Sequence, residues 1–214
     1  MTWSEITVIV AAALLVQLWW VWVAASRLDR LHRKVATSCA ALDNQLVRRA
    51  SAAAELASSG LLDPVSAVLV GEAAWTALSA GSHGRPDLAV DAPDLGATLD
   101  ACSLDGSTAE EQPDRERAES DLSRTVRAAL GGADEVRALR SAPLGAELVD
   151  ALAAAWYRVQ LARRFHNEAV AQTQRVRRKI LVRMLRLHGR ARMPRTVEID
   201  DAWPEAFARP GETA

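Results

Sequence analysis

Two polar blocks hold the residues best placed for chemistry. Asp43, Gln45, Arg48 and Arg49 form the first, and Arg163, Arg164, Asn167 and Glu168 the second. Each sets carboxylate, amide and guanidinium groups within one or two helical turns. Brought together by antiparallel helices, they would make a buried or half-buried polar layer. Such a layer fixes helix register through ion pairs and hydrogen bonds. Its other use is a groove for a partner or an anion. A third set, Arg175, Arg177, Arg178, Lys179 and Arg183, is a basic patch suited either to lipid phosphates or to a solvated helix face. Without interleaved aromatics, zinc spacing or a helix-turn-helix pattern, it has no element for reading bases, and nucleic acid is not expected.

Other reactive side chains offer less. His166 falls on an apolar helical stripe, where a neutral, hydrogen-bonded core histidine is the simplest reading and pH sensing the alternative. His32 and Cys39 share a face seven residues apart, but two ligands do not make a metal site. Cys39 reads as a small buried hydrophobe, and Cys39 and Cys102 together form no CxxC. The chain has no GxxxxGK[ST], no strand followed by GxGxxG, no HExxH and no GxSxG. Paired acids such as Glu110-Glu111 and Asp200-Asp201 sit in a loop or tail, where solvation leaves them ordinary. No enzyme activity, cofactor or metal is expected.

The elements that must position these groups begin with an apolar run. Ile6 to Ala25 carries no charge and one amide, Gln17, and at ~1.5 Å per residue it reaches about 30 Å, a bilayer's hydrocarbon thickness. Trp3 stands at one end and Trp19, Trp20 and Trp22 at the other, as interfacial aromatics do. Val23-Ala24-Ala25 resembles a signal-peptide cleavage site. However, residues 1–5 carry no Lys or Arg and the run exceeds a normal signal core, so an uncleaved anchor is expected. Arg27, Arg30, Arg33 and Lys34 follow the run. The positive-inside rule then leaves residues 1–5 outside and 26–214 in the cytoplasm.

The net charge of −1 hides segregation: Gly84–Asp121 holds eleven acids against three arginines, and Arg163–Arg195 eleven bases against Glu168. That pattern points to partners or intramolecular pairing. Leu28, Leu31, Val35, Cys39, Leu42, Leu46, Ala50, Ala53 and Leu56 recur at three- and four-residue steps, predicting a helix from Ser26 to about Ser59, continuous with the span. Gly60 and Asp63-Pro64 end it and open a second helix to Ala80. Residues 82–112 read as an acidic loop in which either a short helix or disorder is hidden. Pro113 to Leu130 and Ala133 to Arg140 are the next helices, and Pro143 to about His188 the last and longest. The tail, 195–214, looks extended, and no stretch alternates like a strand. The expectation is an all-α chain: a transmembrane helix, 6–25, running into an antiparallel bundle of about four helices within 26–194. Helix parity would return the Arg-rich end of the last helix to the neighbourhood of Ala25.

Two blocks resemble one family. Ala41-Leu-Asp-Asn-Gln-Leu-Val-Arg-Arg49 is similar to the first-helix signature of LemA-family proteins, an acidic residue followed by Gln-Leu and two basic residues. Ala162-Arg-Arg-Phe-His-Asn-Glu-Ala-Val170 resembles that family's last-helix pattern, Ala-Arg-x-x-Tyr-Asn-x-Ala-Val. Here His166 replaces Tyr, Thr173-Gln174 replaces a second Tyr-Asn, and the Phe-Pro that commonly interrupts the last helix is missing after Arg175. Residues 61–140 look unlike the family. The resemblance implies a membrane-anchored helical bundle and no particular reaction. The functions consistent with this reading are a non-catalytic scaffold of the bacterial inner membrane with protein partners or self-association, a sensor of anionic lipid surfaces and, less favoured, a nucleic-acid binder gripping phosphates through the basic run.

Overall fold

The computed structural model describes residues 3–83, 111–184 and 193–207. Six helices account for most of them: α1 Trp3–Ser58, α2 Pro64–His83, α3 Glu111–Ala129, α4 Ala133–Ser141, α5 Gly145–Arg177 and α6 Ile180–Met184. No strand occurs among the described residues. The acidic segment expected over 82–112 lies outside them except at its ends, where His83 closes α2 and Glu111 opens α3.

α1 runs 56 residues without a break because nothing in it interrupts a helix. It contains neither Gly nor Pro and is rich in Ala and Leu. Its first part has a mean hydropathy of 2.2 and is wholly exposed, so one N-terminal helix is long and apolar enough to cross a membrane. Its second part buries Leu28, Leu31, Val35, Leu42, Leu46, Ala50, Ala53 and Leu56, the expected stripe, while Cys39 is half-buried. Gly60, at φ 74°, ends the helix in a left-handed conformation. Asp63 then caps α2, its Oδ1 accepting from the Val65 and Ser66 N–H groups at 3.1 Å.

α2 returns along α1, with Gly71 against Ala57. α3 runs parallel to α1: Arg115 pairs with Asp43 and, further along, Glu119 with Arg49. α5 returns again, packing Val35 with Ala169 and Val170, and Leu42 and Leu46 with Val159. The four long helices alternate in direction, and the order across the bundle is α5, α1, α2, α3. Short α4 packs on α5.

Four expectations are corrected. α2 runs on to His83 where an end at Ala80 was expected, since a lone glycine at position 81 weakens a helix without ending it. α3 begins at Glu111, not Pro113; a proline in the first helical turn breaks no backbone hydrogen bond. α5 stops at Arg177, and a break at Arg178-Lys179 separates it from α6, where one helix to His188 was expected. Residues 185–192 lie outside the described set. The described part of the tail is extended over 193–203, and 208–214 lie outside the described residues. Asp200-Asp201, expected to be an ordinary solvated pair, is not one: Asp201 is buried with Ile199 and Phe207 against the helices, and Asp200 is bonded to Arg127.

α4 meets α5 in a tight turn in which Leu144 adopts φ 63° and Gly145 presses on α4. A Cβ on Gly145 would stand 1.9 Å from the Leu139 carbonyl oxygen. Gly145→Ala should therefore cost ~1–3 kcal/mol through forced displacement. At Gly60 a Cβ meets nothing within 4 Å, so Gly60→Ala should cost only the left-handed backbone strain, ~1 kcal/mol. Denaturant unfolding of both variants checks the ranking, and a silent Gly145→Ala would show that the turn has slack.

Candidate functional site

The centre of the bundle holds a charge. Arg49 of α1 is fully buried and reaches across to α3. Its Nη2 donates to Glu119 Oε2 at 2.8 Å and to the Glu119 carbonyl at 3.1 Å, and its Nη1 to Ser123 Oγ at 2.9 Å. The guanidinium carbon lies 5.0 Å from the ring centroid of Trp156, a fully buried residue of α5. Glu119 and Ser123 are equally enclosed. The arrangement is a desolvated ion pair with a cation–π face, made by three helices.

From Trp156 the network passes to the tail. Trp156 Nε1 donates to the Asp201 carbonyl at 3.1 Å, and Gln160 Nε2 donates to the same oxygen at 2.6 Å. Arg163 forks onto the Asp201 carboxylate, Nε to Oδ2 at 2.8 Å and Nη2 to Oδ1 at 2.9 Å. Asn167 gives Nδ2 to the Val197 carbonyl at 3.0 Å and accepts the Val197 N–H at 2.9 Å. Gln174 donates to the Pro194 carbonyl at 2.8 Å. Thus Gln160, Arg163, Asn167 and Gln174 form one polar stripe on α5, and the tail lies along it.

The tail's other side is bonded to α3. The Asp200 N–H donates to Ser120 Oγ at 3.0 Å, and Arg127 Nη1 to Asp200 Oδ1 at 2.9 Å. The bonded Arg127 guanidinium holds the Asp200 carboxyl below the usual carboxylate range, outweighing the opposing effect of burial. Burial pushes the Glu116 carboxyl upward, although it accepts the Glu198 N–H. The segment 194–202 is therefore a strap between α3 and α5. Ile199 joins the Leu42, Leu46 and Val159 cluster, and Phe207 joins the main core.

The polar layer expected between the first and last helices is thereby redrawn. Asp43 and Arg49 serve α3, while Arg163 and Asn167 serve the strap. Gln45 is half-buried, and Arg48, Arg164 and Glu168 are exposed. In the basic patch, Arg175, Arg178, Lys179 and Arg183 are exposed, but Arg177 is buried, which lowers its pKa. Sequence reasoning missed Glu119, Ser123, Trp156, Gln160 and Asp201. The signal available for the strap contacts was the 160–163–167–174 spacing of donor side chains.

His166 is buried between α5 and α1, and its Nδ1 shares a 3.2 Å hydrogen bond with Ser38 Oγ. Burial pushes its pKa below the ordinary histidine value, outweighing a hydrogen bond with the Arg195 backbone that acts in the opposite sense. Among the described residues no group of three or more His, Cys, Asp or Glu could hold a metal. Cys102 lies outside them. No family model, curated protein or solved structure matches this chain.

Two predictions follow from these burials. Arg49→Met should cost ~3–5 kcal/mol, because it strands the Glu119 carboxylate in the core, and adding Glu119→Leu should recover most of that loss. A double-mutant cycle by chemical denaturation reads the coupling, and additive losses would mean that the two side chains do not interact. For His166, the unfolded chain binds its proton before the folded one does. Stability is then full above about pH 6.5 and falls as pH drops below it. His166→Asn should flatten this slope in thermal melts between about pH 7 and about pH 5. An identical slope in the variant would assign the pH dependence elsewhere.

Proposed function

We propose that this chain is a single-pass, membrane-anchored helical-bundle protein of the LemA-like type, a non-catalytic scaffold or interaction module of the bacterial inner membrane. Its N-terminus lies outside and its bundle in the cytoplasm. The observation that carries the reading is that α1 is both things at once. Its residues 6–20 are uncharged, nearly all apolar and exposed on every side, and the same helix supplies the buried stripe of the bundle. An exposed apolar rod of bilayer length needs a non-aqueous surrounding. Arg27, Arg30 and Lys34, exposed just after it, give the orientation. The break in α5 at Arg178-Lys179 falls close to where the last helix of LemA-family proteins is commonly interrupted.

The outer face of α2 supports protein contact. α2 is apolar on nearly all sides: Val70, Ala74 and Ala77 face the core, whereas Val65, Val68, Leu69 and Trp75 are exposed. Exposed Glu72 and Thr76 share that face, and large exposed hydrophobes around a few polar groups are a usual mark of an interaction surface. The expected occupant is another membrane protein or a second copy of this chain.

A photo-crosslinking residue at Val68 of the full-length protein in its native membrane tests this reading. Adducts to one or a few membrane proteins, or to a second copy, are expected, and Leu69→Glu with Trp75→Glu should abolish them without unfolding the exposed face. Adducts indifferent to those substitutions would remove α2 from the reading. Digestion of the bundle by protease added outside intact spheroplasts would invert the topology.

A further inference from the structure

The antiparallel register of α5 on α1 brings two basic segments, far apart in sequence, to one end of the bundle. Ser38 meets His166, and Val35 packs with Ala169 and Val170. Carried along the helices, that register sets Arg177 level with Arg27, at the end of the apolar run. Leu28 and Arg177 are both buried there. The covered stripe of α1 continues past them into the run itself, with Val21, Ala24 and Ala25 half-buried while every described residue before Val21 is exposed. The end of α5 and the break before α6 therefore lie where the span leaves its apolar surroundings.

The side chains at this level are of two kinds. From α5 and α6 come Arg175, Arg178, Lys179 and Arg183, all exposed, and from α1 the exposed Arg27, Arg30 and Lys34. Over 20–34 and 173–184 the one acid is Asp29, and it is paired with Arg33. Among these cations stand Ile180 and Met184, which are 74% and 75% exposed and one turn apart on one face. With Arg183 they line a shallow hollow. Large bare hydrophobes ringed by cations, next to a span's end, match what a bilayer interface selects: apolar side chains for the acyl boundary and positive charge for phosphate.

We propose that these residues form a collar that binds anionic phospholipid headgroups of the bilayer that α1 spans, with Ile180 and Met184 dipping into its surface. The proposal rests on the membrane reading above and adds a ligand class to it. Arg177 is excluded from the collar by its burial. The contact would clamp the bundle's near end to the membrane at a second point, in proportion to the anionic lipid present.

The test uses the full-length chain with Cys39→Ala and Cys102→Ala, spin-labelled at Leu14→Cys or at Met184→Cys. It is reconstituted in phosphatidylcholine vesicles with or without phosphatidylglycerol. Oxygen and a water-soluble nickel chelate report immersion at each label. The label at position 14 should be immersed in both lipids, and that at position 184 only with phosphatidylglycerol. Immersion at 184 should be lost when Arg175, Arg178, Lys179 and Arg183 are all changed to Gln; these side chains are exposed, so the bundle stays folded. A label at 184 that is water-exposed in both lipids, with 14 immersed, overturns the collar and leaves the span. Immersion at 184 that survives the glutamine substitutions also overturns it, showing apolar insertion without headgroup recognition. Water exposure at position 14 sinks the span, and the collar with it.

Discussion

A guanidinium in an apolar interior is tolerable only when its charge is paired and most of its N–H groups find partners, and that constraint determines which helix stands where in this bundle. Arg49 finds a carboxylate, a hydroxyl and a main-chain carbonyl on α3, and an aromatic face on α5. A one-residue slip of any of these helices would turn its side chains by about 100° and strand the charge. Apolar contacts alone accept many registers, since the surrounding core is largely Ala, Val and Leu. The ion pair contributes little net attraction after desolvation, but it makes alternative packings costly. Its value is selection among packings more than strength.

The second constraint concerns main-chain polarity. The helices stand in the order α5, α1, α2, α3, and the strap lies between α3 and α5. An extended segment lying against helices has no neighbouring strand to take its N–H and C=O groups, which still require partners. Side chains do the work of a strand. Asn167 satisfies both groups of Val197, Gln174 and Gln160 take carbonyls at either end, and Ser120 and Glu116 take N–H groups from the other side. Inward-pointing Ile199 and Asp201 flank outward-leaning Asp200, the period-two pattern of extended chain. One polar stripe on a helix thus substitutes for a sheet edge.

This division explains what could be read from the residues alone. Helix bounds were legible wherever a backbone cause was present: Gly60 with its positive φ, the Asp63 cap, and the absence of Gly and Pro through α1. The break at Arg178-Lys179 has no such residue to announce it, and there the expectation ran on too far. The buried stripe of α1 was legible because its period is a property of one helix. The partners of Arg49, Arg163 and Asn167 were not, because choosing them requires the order of helices around the bundle. Glu119 sits in a strongly acidic stretch whose residues look alike until one is buried. Arg177 falls one turn beyond Thr173 on the inward stripe, so its phase pointed to burial although its charge suggested a surface. Asp201 became visible only once the strap had a place to lie.

The unbroken course of α1 has a mechanical consequence. With no hinge between its apolar part and its core part, α1 behaves as one stiff rod, about 84 Å long. Where the apolar part sits in a bilayer, the rod continues about 50 Å beyond it, from Ala25 to Ser58. A change in bilayer thickness that tilts the span by about 10° would then sweep the far end of the bundle sideways by roughly 9 Å. Membrane thickness would be converted into the lateral position of whatever the far end carries.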